Sequence, residues 1–290
     1  MSQFPEIDVS GEVENELLLQ SHGAATLPVL IYLPGVHGDW TLMPSFRAAV
    51  RDRVRLVEFT YPRTLTWSLE TYAAELEQKL VGAGVDKAWL LAESFGSQVA
   101  WPLLRRMAAQ KREQGRSSIE IKGLILAGGF VRYPIPLNVW LAELICRRAS
   151  MRTIWVVLKI YAAYASFRHR HAPETLAGIE AFLARRTELD RQAAVHRLRC
   201  LAAADPRNIA QSCGIPVFYL TGFLDPVVPW ICVHPWLRKY CPSYRGRRIV
   251  WRADHNVLGT APRESADQVC AWMRENGAAI PHTAASTKSA

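Results

Sequence analysis

The chain lacks the cysteine spacing of a metal or redox centre. Its six cysteines, Cys146, Cys200, Cys213, Cys232, Cys241 and Cys270, form no C-x-x-C pair and no cluster with histidine. Neither a zinc site nor a dithiol motif is therefore expected. A basic and then apolar leader is also missing, since the N-terminal stretch MSQFPEIDVSGEVENELLLQ is acidic. No secretory signal is expected, and reduced, mostly buried thiols in a cytoplasmic protein follow by default. There is no zinc-finger spacing and no aromatic–basic module of the kind that reads nucleic acid, so no nucleic-acid partner is expected. No internal repeat is visible. The most apolar segment, TIWVVLKIYAAYA at 153–165, is too short, and too interrupted by Lys159, to span a bilayer.

What is present fits a globular enzyme. The 290 residues are 50% hydrophobic and 21% charged, enough to bury a large core. Short apolar runs alternate with longer amphipathic stretches, which predicts an α/β class with a mostly parallel central sheet flanked by helices. Strands are expected at 28–33, 53–59, 87–92, 120–127, 215–221 and 248–251, each a compact run suited to burial on both faces. Helices are expected at 44–51, 68–81, 97–113 and 263–275, with 9–19 supplying an antiparallel edge strand.

The alternation breaks between Phe130 and Ala210. Four helices are predicted there, near 137–148, 153–165, 173–185 and 188–203, and they read as an inserted helical cap at 131–210. The sheet core then comprises 1–130 and 211–276, followed by a small, polar tail at 277–290 that frays. The net charge of +9 concentrates in this region: between Arg147 and Arg199, eleven Lys and Arg stand against four Asp and Glu. A solvated helical surface is the plainer reading of that excess, ahead of acidic substrates, anionic lipid or nucleic acid. For segment 153–165, packing within a lid or lining an apolar tunnel is favoured over peripheral contact with an anionic membrane.

The run AWLLAESFGSQVAWPLL reads as strand, tight turn and helix. Its centre, Ala92-Glu93-Ser94-Phe95-Gly96, matches G-x-S-x-G with alanine at the first position. Serine at a sharp bend exposes its hydroxyl above the sheet, and small residues two before and two after let strand and helix pass closely. An earlier strand, VLIYL, ends in Pro34-Gly35-Val36-His37-Gly38-Asp39-Trp40. In acyl transfer, charge grows on the substrate carbonyl oxygen, and two aimed backbone N–H groups stabilise it. Phe95 and Val36 are the candidates. His37 and Asp39 are candidate pocket residues, with loop stabilisation an equal alternative.

After the strand IPVFYL comes Thr221-Gly222-Phe223-Leu224-Asp225, a carboxylate just past a strand end. After RRIVW comes Arg252-Ala253-Asp254-His255-Asn256. Asp225 is the expected partner of the His255 imidazole. Asp254 is a weaker rival, because a sequence neighbour points poorly into the adjacent ring. With the elbow, oxyanion loop, acid and base in this order, residues 27–276 resemble the α/β-hydrolase superfamily with a helical cap. That resemblance implies Ser94, Asp225 and His255 as a catalytic triad, Val36 and Phe95 as oxyanion donors, and no metal or organic cofactor. It implies cleavage of a small apolar acyl substrate, an ester or thioester. Lactone opening, carbon–carbon hydrolysis, acyl transfer and a non-catalytic binding role are the alternatives.

Overall fold

The computed structural model describes residues 16–168 and 173–281. The central sheet forms because its strands are apolar throughout: β2 (Val29–Leu33), β4 (Lys87–Glu93) and β6 (Val217–Gly222) are almost entirely buried. Buried on both faces, they pair in parallel with β3 (Arg55–Thr60) and β5 (Glu120–Ala127). The edges are β1 (Leu18–His22), antiparallel to β3, and β7 (Tyr244–Val250), giving the order β1-β3-β2-β4-β5-β6-β7. The expected edge strand thus lies later in the chain than 9–19, and 9–15 falls outside the described residues. Strand β7 starts four residues before its expected position. Its first half, Tyr-Arg-Gly-Arg-Arg, carries the charge of an edge strand rather than an apolar run.

Helices α1 (Pro44–Val50), α2 (Leu69–Gly82) and α3 (Gly96–Gln114) connect the first strands. Alternate side chains fill two apolar layers. Ile31, Leu33, Leu90, Leu124 and Tyr219 meet Tyr72, Leu76, Val99 and Leu103 of α2 and α3. Leu30, Tyr32, Trp89, Ile125 and Phe218 face Phe46 and Val50 of α1 on the other side. Because β2 lies between β3 and β4, its outgoing loop turns to one face of the sheet while that of β4 turns to the other. Such a switch point opens a crevice beyond the C-terminal strand ends.

Between β5 and β6 stand five helices: α4 (Pro136–Arg148), α5 (Met151–Arg168), α6 (Pro173–Ala184), α7 (Glu188–Ala203) and the short α8 (Arg207–Gln211). Three more follow: α9 (Trp230–Tyr240), α10 (Val257–Thr260) and α11 (Pro262–Glu275). Trp272 of α11 stacks on Phe218 with ring centroids 4.8 Å apart. Sequence periodicity passes over α9, whose register Pro235 interrupts. Of the tail, Ile280 is buried in the sheet core, and 282–290 lies outside the described residues.

The inserted helices are anchored to the loops after β2 and β3 by charge. Arg186 pairs with Asp39, and Arg185 Nε stands 3.5 Å from the same carboxylate. Arg197 donates to the carbonyls of Val36 and Pro62 at 3.1 and 2.9 Å, and Arg63 pairs with Asp190 at 2.9 Å. Arg186 and Arg197 are 9% and 2% exposed, so part of the basic excess is an inward clamp rather than a solvated surface. The thiols also divide differently from expectation. All six are free, but only Cys241 and Cys270 are buried, three are half-buried and Cys232 is exposed.

Burial alone would raise the Asp39 pKa, but the Arg186 charge, the Thr41 hydroxyl and Arg185 outweigh it and hold the carboxyl at about 2. A depressed carboxylate stabilises the fold above its unfolded pKa, and that stability is lost as pH falls through the folded value. Asp39→Asn leaves Arg186 buried and unpaired, and should cost about 3–5 kcal/mol at neutral pH. In urea unfolding, the gap between native and variant should narrow between about pH 4 and about pH 2. A gap independent of pH would remove the ion pair as its cause.

Candidate active site

Strand β4 ends at Glu93 and α3 begins at Gly96, so Ser94 and Phe95 must turn the chain in two residues. Ser94 takes φ +48°, the one positive φ outside glycine among the described residues. Backbone bonds hold it there. Its N–H donates to Ala127 of β5 at 3.1 Å, and its carbonyl accepts from the Ser97 N–H at 3.0 Å and hydroxyl at 2.6 Å. Gly96 is required by close approach: a Cβ there would lie 2.2 Å from the Leu33 carbonyl oxygen and 2.9 Å from that of Pro34. The helix therefore passes directly over the end of β2, which brings the 34–39 loop beside the serine. A Cβ on Gly35 would sit 3.5 Å from the Ser94 Cβ.

Asp225 lies just past β6. Its Oδ1 accepts the Val227 and Val228 N–H groups, both at 2.8 Å, and its Oδ2 receives the His255 Nδ1–H at 2.8 Å. The ring is thereby fixed with Nε2 as the free nitrogen. The loop carrying His255 is tied to the acid loop by Leu224 N–H donating to the Ala253 carbonyl at 3.0 Å. It is closed by Asn256, which caps α10 through the Gly259 N–H. The imidazole packs on Gly128, where a Cβ would lie 3.2 Å from its Cε1 and Nδ1. Gly128 follows Ala127, the residue that accepts the Ser94 N–H, so the ring and the serine share one neighbourhood at the strand ends. Burial pushes the imidazolium pKa down. The hydrogen bond and charge of Asp225, with Glu93 and Asp254 behind them, outweigh that and leave the His255 pKa raised above 6.5.

The other expected residues separate by environment. Among the described residues, neither the Val36 nor the Phe95 N–H has a backbone or side-chain acceptor. Asp39 is 1% exposed and bound by Arg186 and Thr41. His37 Nε2 lies 2.9 Å from the Asp39 carbonyl, and its ring packs edge-on to Phe182. The contacts of both are with the loop and the inserted helices. The Asp254 carboxylate accepts from the Asn256 N–H at 3.0 Å and the Thr260 hydroxyl at 3.3 Å, away from its neighbour's ring.

Three residues escaped sequence reasoning. Glu93 is buried beside the serine and accepts the Tyr32 hydroxyl. Ser97 and Gln98 tie α3 to the loop after β5: the Phe130 N–H donates to Ser97 Oγ at 3.2 Å, and Gln98 Nε2 donates to the Phe130 and Val131 carbonyls at 3.1 and 2.9 Å. The signal for these last two is a pair of adjacent polar residues opening the apolar first half of α3. A cavity of about 340 Å³ lies to one side, lined by Phe130, Tyr133, Arg132, Arg207, Val233 and Trp236. It includes neither Ser94 nor His255. The exposed rim at the acid loop is apolar, with Phe223, Leu224, Val227 and Trp251 all accessible.

The seven-stranded sheet with one antiparallel edge, the serine turn after β4 and the helical insertion after β5 define the α/β-hydrolase fold, and the chain has that fold. No protein-family model matches the sequence, and no curated protein sequence matches it. Solved structures do. An esterase from Thermogutta terrifontis is similar at 18% identity and a TM-score of 0.66, covering 90% of this chain and 93% of its own. An enol-lactonase from Burkholderia xenovorans is 17% identical with a TM-score of 0.63, covering 90% and 95%. A bromoperoxidase from Bacillus anthracis is 13% identical with a TM-score of 0.63, covering 89% and 95%. Identities this low establish shared architecture, and the different activities of these proteins leave the chemistry to the site.

Gly96→Ala is expected to lower stability by about 1–3 kcal/mol, because the added methyl meets fixed backbone. Gly214→Ala, with nothing within 4 Å of the new methyl, is the control and should unfold like the native protein. Equal urea midpoints for the two variants would contradict the tight elbow.

Proposed function

We propose that the protein is a serine hydrolase that cleaves a carboxylic ester or thioester through an acyl-enzyme. The observation carrying this reading is the 2.8 Å His255 Nδ1–Asp225 Oδ2 hydrogen bond at the same strand-end rim as the strained Ser94 turn. Free Nε2 of His255 takes the Ser94 proton as Oγ attacks the substrate carbonyl carbon. The negative oxygen so formed is held by the Val36 and Phe95 N–H groups, which have no internal acceptor to give up. The tetrahedral species then collapses. The bond to the leaving alcohol or thiol breaks, and His255 Nε2–H gives that group its proton. Water, deprotonated by the same nitrogen, attacks the acyl-serine and releases the acid and free Ser94. The Asp225 carboxylate accepts the imidazolium Nδ1–H and stabilises its charge, while the Val227 and Val228 N–H groups keep the carboxylate oriented. The apolar rim of Phe223, Leu224 and Trp251 favours an apolar acyl substrate.

A fluorophosphonate probe should label the native protein and not Ser94→Ala, and p-nitrophenyl ester turnover should vanish with the label. A native protein that neither labels nor turns over esters would refute the reading, and an active Ser94→Ala would remove Ser94 from its role.

The pH profile supplies an independent test. The base acts only when neutral, and its pKa is raised, so kcat/KM should climb through a midpoint above 6.5. Asp225→Asn removes the support for the imidazolium. It should lower the midpoint and cut kcat by about 10⁴-fold. An unchanged profile in Asp225→Asn would exclude Asp225 as the partner of His255.

A further inference from the structure

Helix α5 is built the wrong way round for a helix that only packs. Of its described side chains, Ala162 and Ala165 alone are fully buried, whereas Val156, Val157, Ile160 and Phe167 are 58–71% exposed. Spacings of three, four and seven place the exposed residues on one outward stripe. The preceding helix α4 repeats the pattern with Leu137, Trp140, Leu141 and Ile145 exposed. Packing within the insertion accounts for the alanines of α5, while Val156, Val157 and Ile160 keep most of their surface accessible.

Charge identifies what covers them. From 144 to 173 the sequence has no Asp or Glu and has six Lys and Arg. The clamp residues Arg185, Arg186 and Arg197 lie outside that span. Arg148, Arg152 and Lys159 are exposed, and Lys159 extends over the Trp155 ring at 5.6 Å from its centroid, keeping an apolar stem low and a charged head free. Two copies meeting through α5 would bring like charges together. An anionic lipid surface would meet both the apolar stripe and the basic flank. Spanning is not the mode, for no helix among the described residues is long and apolar enough to cross a membrane.

We propose that the outward face of α5 docks the protein on an anionic lipid surface. The placement also gives the site an orientation. The Tyr161 hydroxyl of α5 meets the Asp254 carboxylate, next to His255, and although the side chain is about half exposed, partial burial of the hydroxyl and that negative charge hold its pKa well above the usual value. α5 therefore lies on the side of the sheet where the strand-end rim opens. Docking would hold that rim, with exposed Trp251 and Leu224, at the lipid boundary. The inference concerns the surface and does not depend on which bond the enzyme cleaves.

The experiment is co-sedimentation of the full chain with phosphatidylcholine vesicles, with and without about 30% phosphatidylserine. The native protein should bind the anionic vesicles and lose most binding as salt rises from about 0.05 M to about 1 M. Val157→Asp/Ile160→Asp should reduce binding about tenfold or more while melting like the native protein, since both side chains already face water. Arg148→Gln/Arg152→Gln/Lys159→Gln should reduce it without adding charge to the stripe, which keeps the test decisive should the first variant fail to fold. Ser94→Ala should bind like the native protein, separating this outcome from any failure of the hydrolase reading. No binding at low salt, or full binding by both surface variants, would overturn the proposal. So would a native dimer in light scattering that Val157→Asp/Ile160→Asp converts to monomer without any vesicle binding, which would make the face a contact between copies.

Discussion

The site depends on one backbone constraint: Ser94 is held at a positive φ between a buried strand and a buried helix. A non-glycine residue in this region costs about 1–2 kcal/mol, so it persists only where its surroundings over-determine it. Here they do. Its N–H is taken by β5, its carbonyl by Ser97, and Gly96 lets α3 run against the Leu33 carbonyl. The closeness that strains the turn also draws the Gly35 loop beside the serine. Ser94 and the Val36 and Phe95 N–H groups are thus one mechanical unit. Asp225 and His255 attach to it through the sheet, since Ala127 bonds the elbow and Gly128 carries the His255 ring.

Charge organises the second layer. A buried carboxylate is costly unless paired, and Asp39 satisfies that requirement with arginines from the inserted helices. The pair joins residues 147 positions apart in sequence, so the insertion and the loop after β2 are fixed by the same contact. Arg197 adds two backbone carbonyls to this anchorage. A guanidinium suits the task, because its fork of donors can hold two carbonyls at once.

The elements legible in sequence were those whose signal is local. Apolar runs buried on both faces located β2, β4, β5 and β6, with Ser94 and Asp225 just past two of them and His255 just past the apolar end of β7. The less legible elements are edges or long-range pairs. The charged first half of β7 and the proline-interrupted α9 depart from the periodicity expected of buried elements. Nothing near Asp39 names Arg186 as its partner, and a count of basic residues cannot separate Arg197, buried on two carbonyls, from Arg148 in solvent. Glu93 was hidden for another reason: it occupies a motif position defined only by the size of its neighbours, while its role depends on Tyr32, a strand away.

The inserted helices thus have two dissimilar sides. Toward the sheet they present arginines and Asp190, whose ion pairs and hydrogen bonds reach the loops after β2 and β3. Away from it, α5 presents Val156, Val157 and Ile160. Helices on a soluble core have the opposite arrangement, because apolar area removed from water is worth about 25 cal/mol per Å² and polar groups are better left wet. Arginine contacts fix where this insertion sits, and Val139 and Leu201 bury apolar surface in the sheet core. The outward Val156, Val157 and Ile160 are left out of that core and stay exposed, so most of their apolar area gains stabilising value only against a second surface.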